Sequence, residues 1–139
     1  MRTIADLELA DAERAAEAAA AEARERGISI TVCVTDRGGI PITVRRMDGA
    51  KPSGVELAGA KAFTAAIHHR PTSAIAHVAG PGQPGFGVFA QFGGRFSVLP
   101  GGVPVEVDGV VVGAVGVSGA DDVGDIACAE AAVTALVAA

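Results

Sequence analysis

At 139 residues the chain is the size of one ordinary domain, and residues 1–139 are expected to form a single folded unit. Half of the residues are hydrophobic, but five Phe and no Trp or Tyr supply the aromatic mass, so the core must be built from Ala, Val, Ile and Leu with closely spaced backbones. The formal net charge is −5 and the 11 Lys and Arg are scattered, which argues against nucleic acid and acidic membrane surfaces as partners.

The opening stretch MRTIADLELADAERAAEAAAAEARERG has no apolar run ahead of its charges. Neither a secretory signal nor a transmembrane span is expected, and the expected location is cytoplasmic. Residues 5–26 are predicted to be an Ala-rich helix ended by Gly27, with Thr3 and Asp6 as a weak capping box. Ile28 to Thr35 alternates as a strand, and Ile40 to Arg46 is its partner across Asp36-Arg37-Gly38-Gly39. Pro41 removes a ladder donor and places that second strand near an edge.

Ser53 with Glu56 reads as a capping box for a second helix that Pro71 terminates near His69 or Arg70. Thr72 or Ser73 then caps a short helix through Val78. The stretch AGPGQPGFG at 79–87 is a loop. Phe86, Phe89, Phe92 and Phe96 follow within or just after it. Four of the five phenylalanines in one Gly-rich segment form either a ligand wall, an oligomer contact or the filling at one end of a sheet.

Val103 to Val107 and Val110 to Val117 flank Asp108-Gly109, the signature of a hairpin closed by a type I′ turn. The second run is apolar on both faces, as for a central strand, and Gly113 and Gly116 within it predict close approach by a helix, a neighbouring subunit or a ligand. Asp121, Asp122 and Asp125 open a last helix. The predicted order is α-β-β-α-(α)-β-β-β-α. GAVGVSG lies inside a strand and does not precede a helix with a distant acid, so it is not a dinucleotide motif. Cys33 and Cys128 have no metal-ligand spacing and read as buried thiols.

The strings VTDRGGIPITVRRMDGA, ELAGAKAFTAA and PGGVPVEVDGVVVGAVGVSGADDVGD together resemble the GlcG/HbpS family, which is similar to the C-terminal domain of PduO-type proteins. That resemblance spans the chain. It implies a profilin-like α/β (α+β) sandwich, an antiparallel five-stranded sheet with helices on its faces, assembled as dimers or up to octamers. It also implies haem binding or haem degradation for some relatives, and small-organic-acid chemistry for others.

Three histidines are candidate iron ligands: His68, His69 and His77. Neighbours on a helix diverge by about 100°, so His68 and His69 cannot both face one iron, and either also suits a helix C-terminus electrostatically. His77 is a single ligand or acid/base candidate. Arg46, Lys61 and the Gly101-Gly102 turn form a second constellation. Lys61 sits among small apolar residues, as a point charge, as a base of lowered pKa, or as the partner of Glu56 or an Asp. The Gly-Gly turn offers backbone N–H groups to an anion or simply reverses the chain.

Two function classes follow. The first is a binding protein for haem or another flat, anionic, largely apolar small molecule, with Phe86, Phe89 and Phe92 of the Phe-rich loop as a wall and Arg46 or Lys61 for its carboxylates. The second is a cofactor-independent tautomerase, isomerase or lyase on a small keto or enol acid, with Lys61 or a histidine such as His77 as base and Gly101 and Gly102 as the anion-binding turn.

Overall fold

A computed structural model describes residues 1–137 of the chain. The order is α1 (Leu9–Arg26), β1 (Thr31–Asp36), β2 (Pro41–Arg46), α2 (Gly54–His68), α3 (Thr72–Ala79), β3 (Gly102–Val107), β4 (Val110–Ser118) and α4 (Asp122–Val137), with short 3₁₀ turns at Phe86–Ala90 and Phe92–Gly94. The fold is α+β, with one antiparallel sheet ordered β2-β1-β4-β3.

The two faces of the sheet are assigned by strand alternation. Val32 and Val34 of β1 join the cluster made with the buried alanines of α1 and α4, whereas Cys33 between them packs on Ala58 and Ala62 of α2. So α1 and α4 cover one face and α2 covers the other. The central position of β4 explains its unbroken burial from Val111 to Ser118.

Glycines set how deeply α2 sinks. Gly116 faces Cys33 on one side and Gly102 on the other in the ladders. A Cβ at Gly116 would lie 2.1 Å from the Ala58 carbonyl oxygen, and one at Gly102 would lie 2.3 Å from that of Lys61. The helix backbone therefore rests directly on sheet backbone. The approach expected at Gly113 is made by Leu7 and the Thr35 carbonyl oxygen.

Local signals held where the chain itself decides them. Gly27 ends α1 with φ 68°, its N–H reaching the Ala23 and Arg24 carbonyls, and Asp108 (φ 50°) and Gly109 (φ 77°) form the left-handed pair of the hairpin turn. Pro41 lies in an edge strand, as its missing donor requires.

Other expectations are corrected. The sheet has four strands among the described residues, not five. Between the 3₁₀ turns and β3, the Ser97 N–H donates to Thr64 Oγ1 at 2.8 Å and the Leu99 N–H to Ser97 Oγ at 3.2 Å, so side chains take donors that a fifth strand would offer to a ladder. Helix α1 starts at Leu9, where the Glu8 N–H donates to the Asp11 carboxylate at 2.9 Å, and Thr3 and Asp6 play no part in its start. Ser53 precedes α2 but its own backbone is helical, and its side chain makes no capping bond.

Candidate functional site

Two concavities flank Leu57 of α2. The larger, about 390 Å³, is a mostly apolar cleft lined by Gly39, Pro41, Gly59, Ala60, Phe63 and the Gly93-Gly94-Arg95 segment, with Glu56 at its edge. Gly59 is inside a helix, where glycine is unfavourable by about 1 kcal/mol relative to alanine. Unlike Gly116, it has no packing reason for lacking a side chain: a Cβ there would meet no atom within 4 Å. The helix face is bare because it borders open space.

The far wall of this cleft is aromatic and cationic. The Arg95 guanidinium carbon lies 4.0 Å from the centre of the Phe63 ring, a cation–π contact. Phe92 meets Phe63 edge-on at 5.7 Å and stacks on Phe96 at 5.9 Å. Phe92, Gly93 and Gly94 are all left-handed, with φ of 56°, 66° and 82°. That conformation is uncommon for a bulky residue such as Phe92, and it folds the segment back over Phe63.

The smaller concavity, about 220 Å³, is lined by Lys51, Ser53, Gly54, Leu57, Lys61, Leu99, Ser118, Gly119, Ala120, Asp122 and Asp125. Lys61 and Asp125 lie in it almost wholly buried, their side chains 4% and 5% exposed, with Nζ 3.0 Å from Asp125 Oδ2. The Lys61 ammonium also donates to the Val117 carbonyl at 2.9 Å, and Asp125 Oδ1 accepts the Ala120 N–H at 2.8 Å. Burial outweighs these favourable contacts and holds the Asp125 carboxyl above its ordinary range, with the like charge of Asp122 adding to the effect. Behind Gly54, the Thr31 hydroxyl is fully buried and has no hydrogen-bond partner among the described residues.

The remaining sequence candidates are dispersed. Arg46 does not join Lys61. Its Nε and Nη2 donate to the Ala50 carbonyl at 3.2 and 3.0 Å and close the turn after β2. The Gly101-Gly102 turn does lie beside Lys61, since a Cβ at Gly101 would be 3.1 Å from Nζ, but one of its two N–H groups is already engaged. The Gly102 N–H donates to Thr72 Oγ1 at 2.9 Å and the Gly101 carbonyl accepts the Val117 N–H.

Phe86 and Phe89 form an exposed edge-on pair at 5.5 Å and line neither concavity. Phe92 stands beside the cleft through Phe63. His68, exposed at the end of α2, meets Phe96 edge-on at 5.4 Å, His69 is an exposed left-handed residue, and His77 is exposed on α3. None of the three borders Lys61 or the cleft. Among the described residues no three His, Cys, Asp or Glu side chains cluster as a metal site.

Sequence reasoning offered Glu56 or an Asp as the partner of Lys61 without singling out Asp125, and missed Arg95 and Gly59 as cleft residues. Gly59 carried a usable signal, a glycine interrupting a helix of good helix formers. The other two are joined only by tertiary packing.

The family model described as haem degrading protein HbpS-like matches residues 7–134. The chain belongs to the HbpS-like family. It is 35% identical over 116 residues to a 15.0 kDa protein from the dhaT–dhaS intergenic region of Citrobacter freundii, covering 84% of this chain and 82% of that one. The crystal structure of Klebsiella pneumoniae protein ORFY superposes with a TM-score of 0.96 at 31% identity, covering 100% of this chain and 96% of ORFY. A PduOC:haem complex superposes with a TM-score of 0.89 at 27% identity, covering 94% and 95% of the two chains. No helix of this HbpS-like chain is long and apolar enough to cross a membrane, among the described residues.

Proposed function

We propose that this protein binds a flat, largely apolar, anionic small molecule of the haem class in the cleft between α2 and the Phe92–Arg95 segment. The observation that carries the reading is Gly59, which keeps one face of α2 bare at the cleft although alanine would serve the helix better. A planar ligand can lie there against backbone, next to Ala60 and Phe63. Arg95 supplies a cation for a carboxylate at the rim. A cleft of about 390 Å³ is within the ordinary size of small-molecule sites. The haem bound by the PduOC relative supports the ligand class.

The residues present fit the macrocycle better than the metal. Gly59, Phe63 and Arg95 would hold a porphyrin plane and its carboxylates, and the iron would supply redox or ligand-binding chemistry when such a group is bound. No imidazole, thiol or thioether lines the cleft among the described residues. We also propose that the exposed Phe86–Phe89 pair supports self-association, which light scattering at micromolar concentration measures.

The test is a haemin titration followed in the Soret region with the wild type and Gly59→Leu. Saturable binding weakened about tenfold or more by Gly59→Leu, with unchanged circular dichroism, is expected for a side chain placed in the ligand's path. Unchanged affinity in that variant removes the cleft as the site.

A further inference from the structure

The Lys61 ammonium carries three N–H donors, and the structure gives it two acceptors, the Val117 carbonyl and Asp125. The third N–H has no protein acceptor among the described residues. A buried charged donor left short of a partner is costly unless something else accepts from it. Lys61 borders the 220 Å³ concavity on the opposite side of Leu57 from the aromatic cleft, and that concavity is the space from which an acceptor can come.

Its other walls narrow what that acceptor belongs to. Lys51 and Ser53 are exposed residues at the start of α2, and the Ser53 hydroxyl is not used as a helix cap. Leu57 and Leu99 supply apolar surface. At about 30 Å³ per water, 220 Å³ holds roughly seven waters, and so a molecule of about six or seven non-hydrogen atoms.

We propose that this concavity is a second binding site, for a small 2-oxo or 2-hydroxy monocarboxylate. The 2-oxygen accepts from the Lys61 ammonium, the carbon chain lies between Leu57 and Leu99, and the carboxylate faces Lys51 and the Ser53 hydroxyl. The charges present set the selectivity. An ammonium in place of the 2-oxygen has no lone pair to accept the third Lys61 N–H, so 2-amino acids leave that donor unpaired and bind more weakly. Asp125 is already engaged by Lys61 and the Ala120 N–H, but its carboxylate and that of Asp122 oppose a second carboxylate on the ligand. Dicarboxylates are rejected in turn. The site shares only Leu57 with the cleft assigned to the flat ligand and does not depend on that assignment.

The experiment is a titration of the ¹⁵N-labelled full chain with pyruvate, followed by amide chemical shifts, with lactate, alanine, succinate, acetate and inorganic phosphate as comparisons. The expected result is saturable shifts for pyruvate and lactate centred on Gly54, Leu57 and Ser118 to Ala120, with each other compound binding about tenfold more weakly or worse. Ser53→Ala and Lys51→Ala are surface changes that leave the fold intact and should each weaken pyruvate several-fold. The double variant Lys61→Met/Asp125→Leu removes the floor without leaving an unpaired buried charge and should abolish pyruvate binding, while its haemin titration stays as in the wild type. Absence of saturation at tens of millimolar pyruvate, shifts centred elsewhere, an equal response to alanine or phosphate, or unchanged pyruvate affinity in the double variant each overturns the proposal.

Discussion

Lys61 Nζ and Asp125 Oδ2 are 3.0 Å apart, joining the middle of α2 to the first turn of α4 with both side chains about 95% shielded from solvent. The close approach of α2 over Gly102 and Gly116 is what brings them together, because it lowers the lysine stem to the level of the sheet. Removing one member leaves a buried charge without its counter-ion, which typically costs about 3–5 kcal/mol, whereas replacing both with apolar groups is often close to neutral. Lys61→Met should therefore lower the urea midpoint strongly, and Lys61→Met/Asp125→Leu should recover most of the loss. Additive losses in the two single variants and the double would show that the pair is not energetically coupled.

The same pair predicts a pH dependence of unusual sign for a carboxylate. Burial raises the Asp125 carboxyl above its ordinary 3.8, so the folded state holds this proton more tightly than the unfolded chain does. Its contribution to stability is fully present below the unfolded value, near pH 4, and is lost as pH rises through the raised folded value. Glu17 behaves oppositely. Hydrogen bonds from Arg24 and then Arg45 lower its pKa, so its contribution is present at neutral pH and lost as pH falls. Denaturant melts across pH 3 to 8 should show the Asp125 component disappear in the double variant and the Glu17 component disappear in Glu17→Gln. Profiles unchanged by either substitution would refute the assignment.

Two glycines, Gly116 in strand β4 and Gly59 in helix α2, should respond to alanine in opposite directions. At Gly116 a methyl group would overlap the Ala58 carbonyl at 2.1 Å, so α2 must lift from the sheet, at a cost on the order of 3 kcal/mol. At Gly59 the methyl group meets only open space, and Gly59→Ala should stabilise the helix by about 0.5–1 kcal/mol. Thermal melts of the two variants decide this. Destabilisation by Gly59→Ala would mean that its bareness serves the fold rather than the cleft.

What the sequence revealed divides by the range of the interaction. The Asp108-Gly109 turn, the Gly27 cap and the edge position of Pro41 depend on residues within a few positions, and each was readable. Gly113 and Gly116 announced a close approach without saying which element makes it. The expected order put a fifth strand somewhere between α3 and β3, a stretch in which Thr64, 33 residues distant from Ser97, captures the Ser97 backbone donor instead. The site followed the same rule. Lys61 was visible as a lysine in apolar surroundings, but its choice of Asp125 over Glu56 depends on the depth of α2, and the Gly102 N–H is taken by Thr72, 30 residues away along the chain.

The last prediction concerns the thiols, which report separately on the two faces of the sheet. Cys33 lies under Ala58 and Ala62 of α2, and burial pushes its pKa from 9.0 up to about 11. Cys128 lies in the α1–α4 cluster and is raised from 9.0 to about 11, again first by burial and then by the charge of Glu22. A rise of two units lowers the thiolate fraction at pH 8 about 100-fold, and steric shielding slows attack further. Native labelling with a disulfide reagent should therefore be slow at both positions. Single-cysteine variants separate them: lifting α2 with Gly116→Ala should speed labelling of Cys33 selectively, while global unfolding in urea should expose both equally. Rapid native labelling of Cys33 in the wild type, or acceleration of Cys128 rather than Cys33 by Gly116→Ala, would contradict the seating of α2 on the glycine pair that positions Lys61.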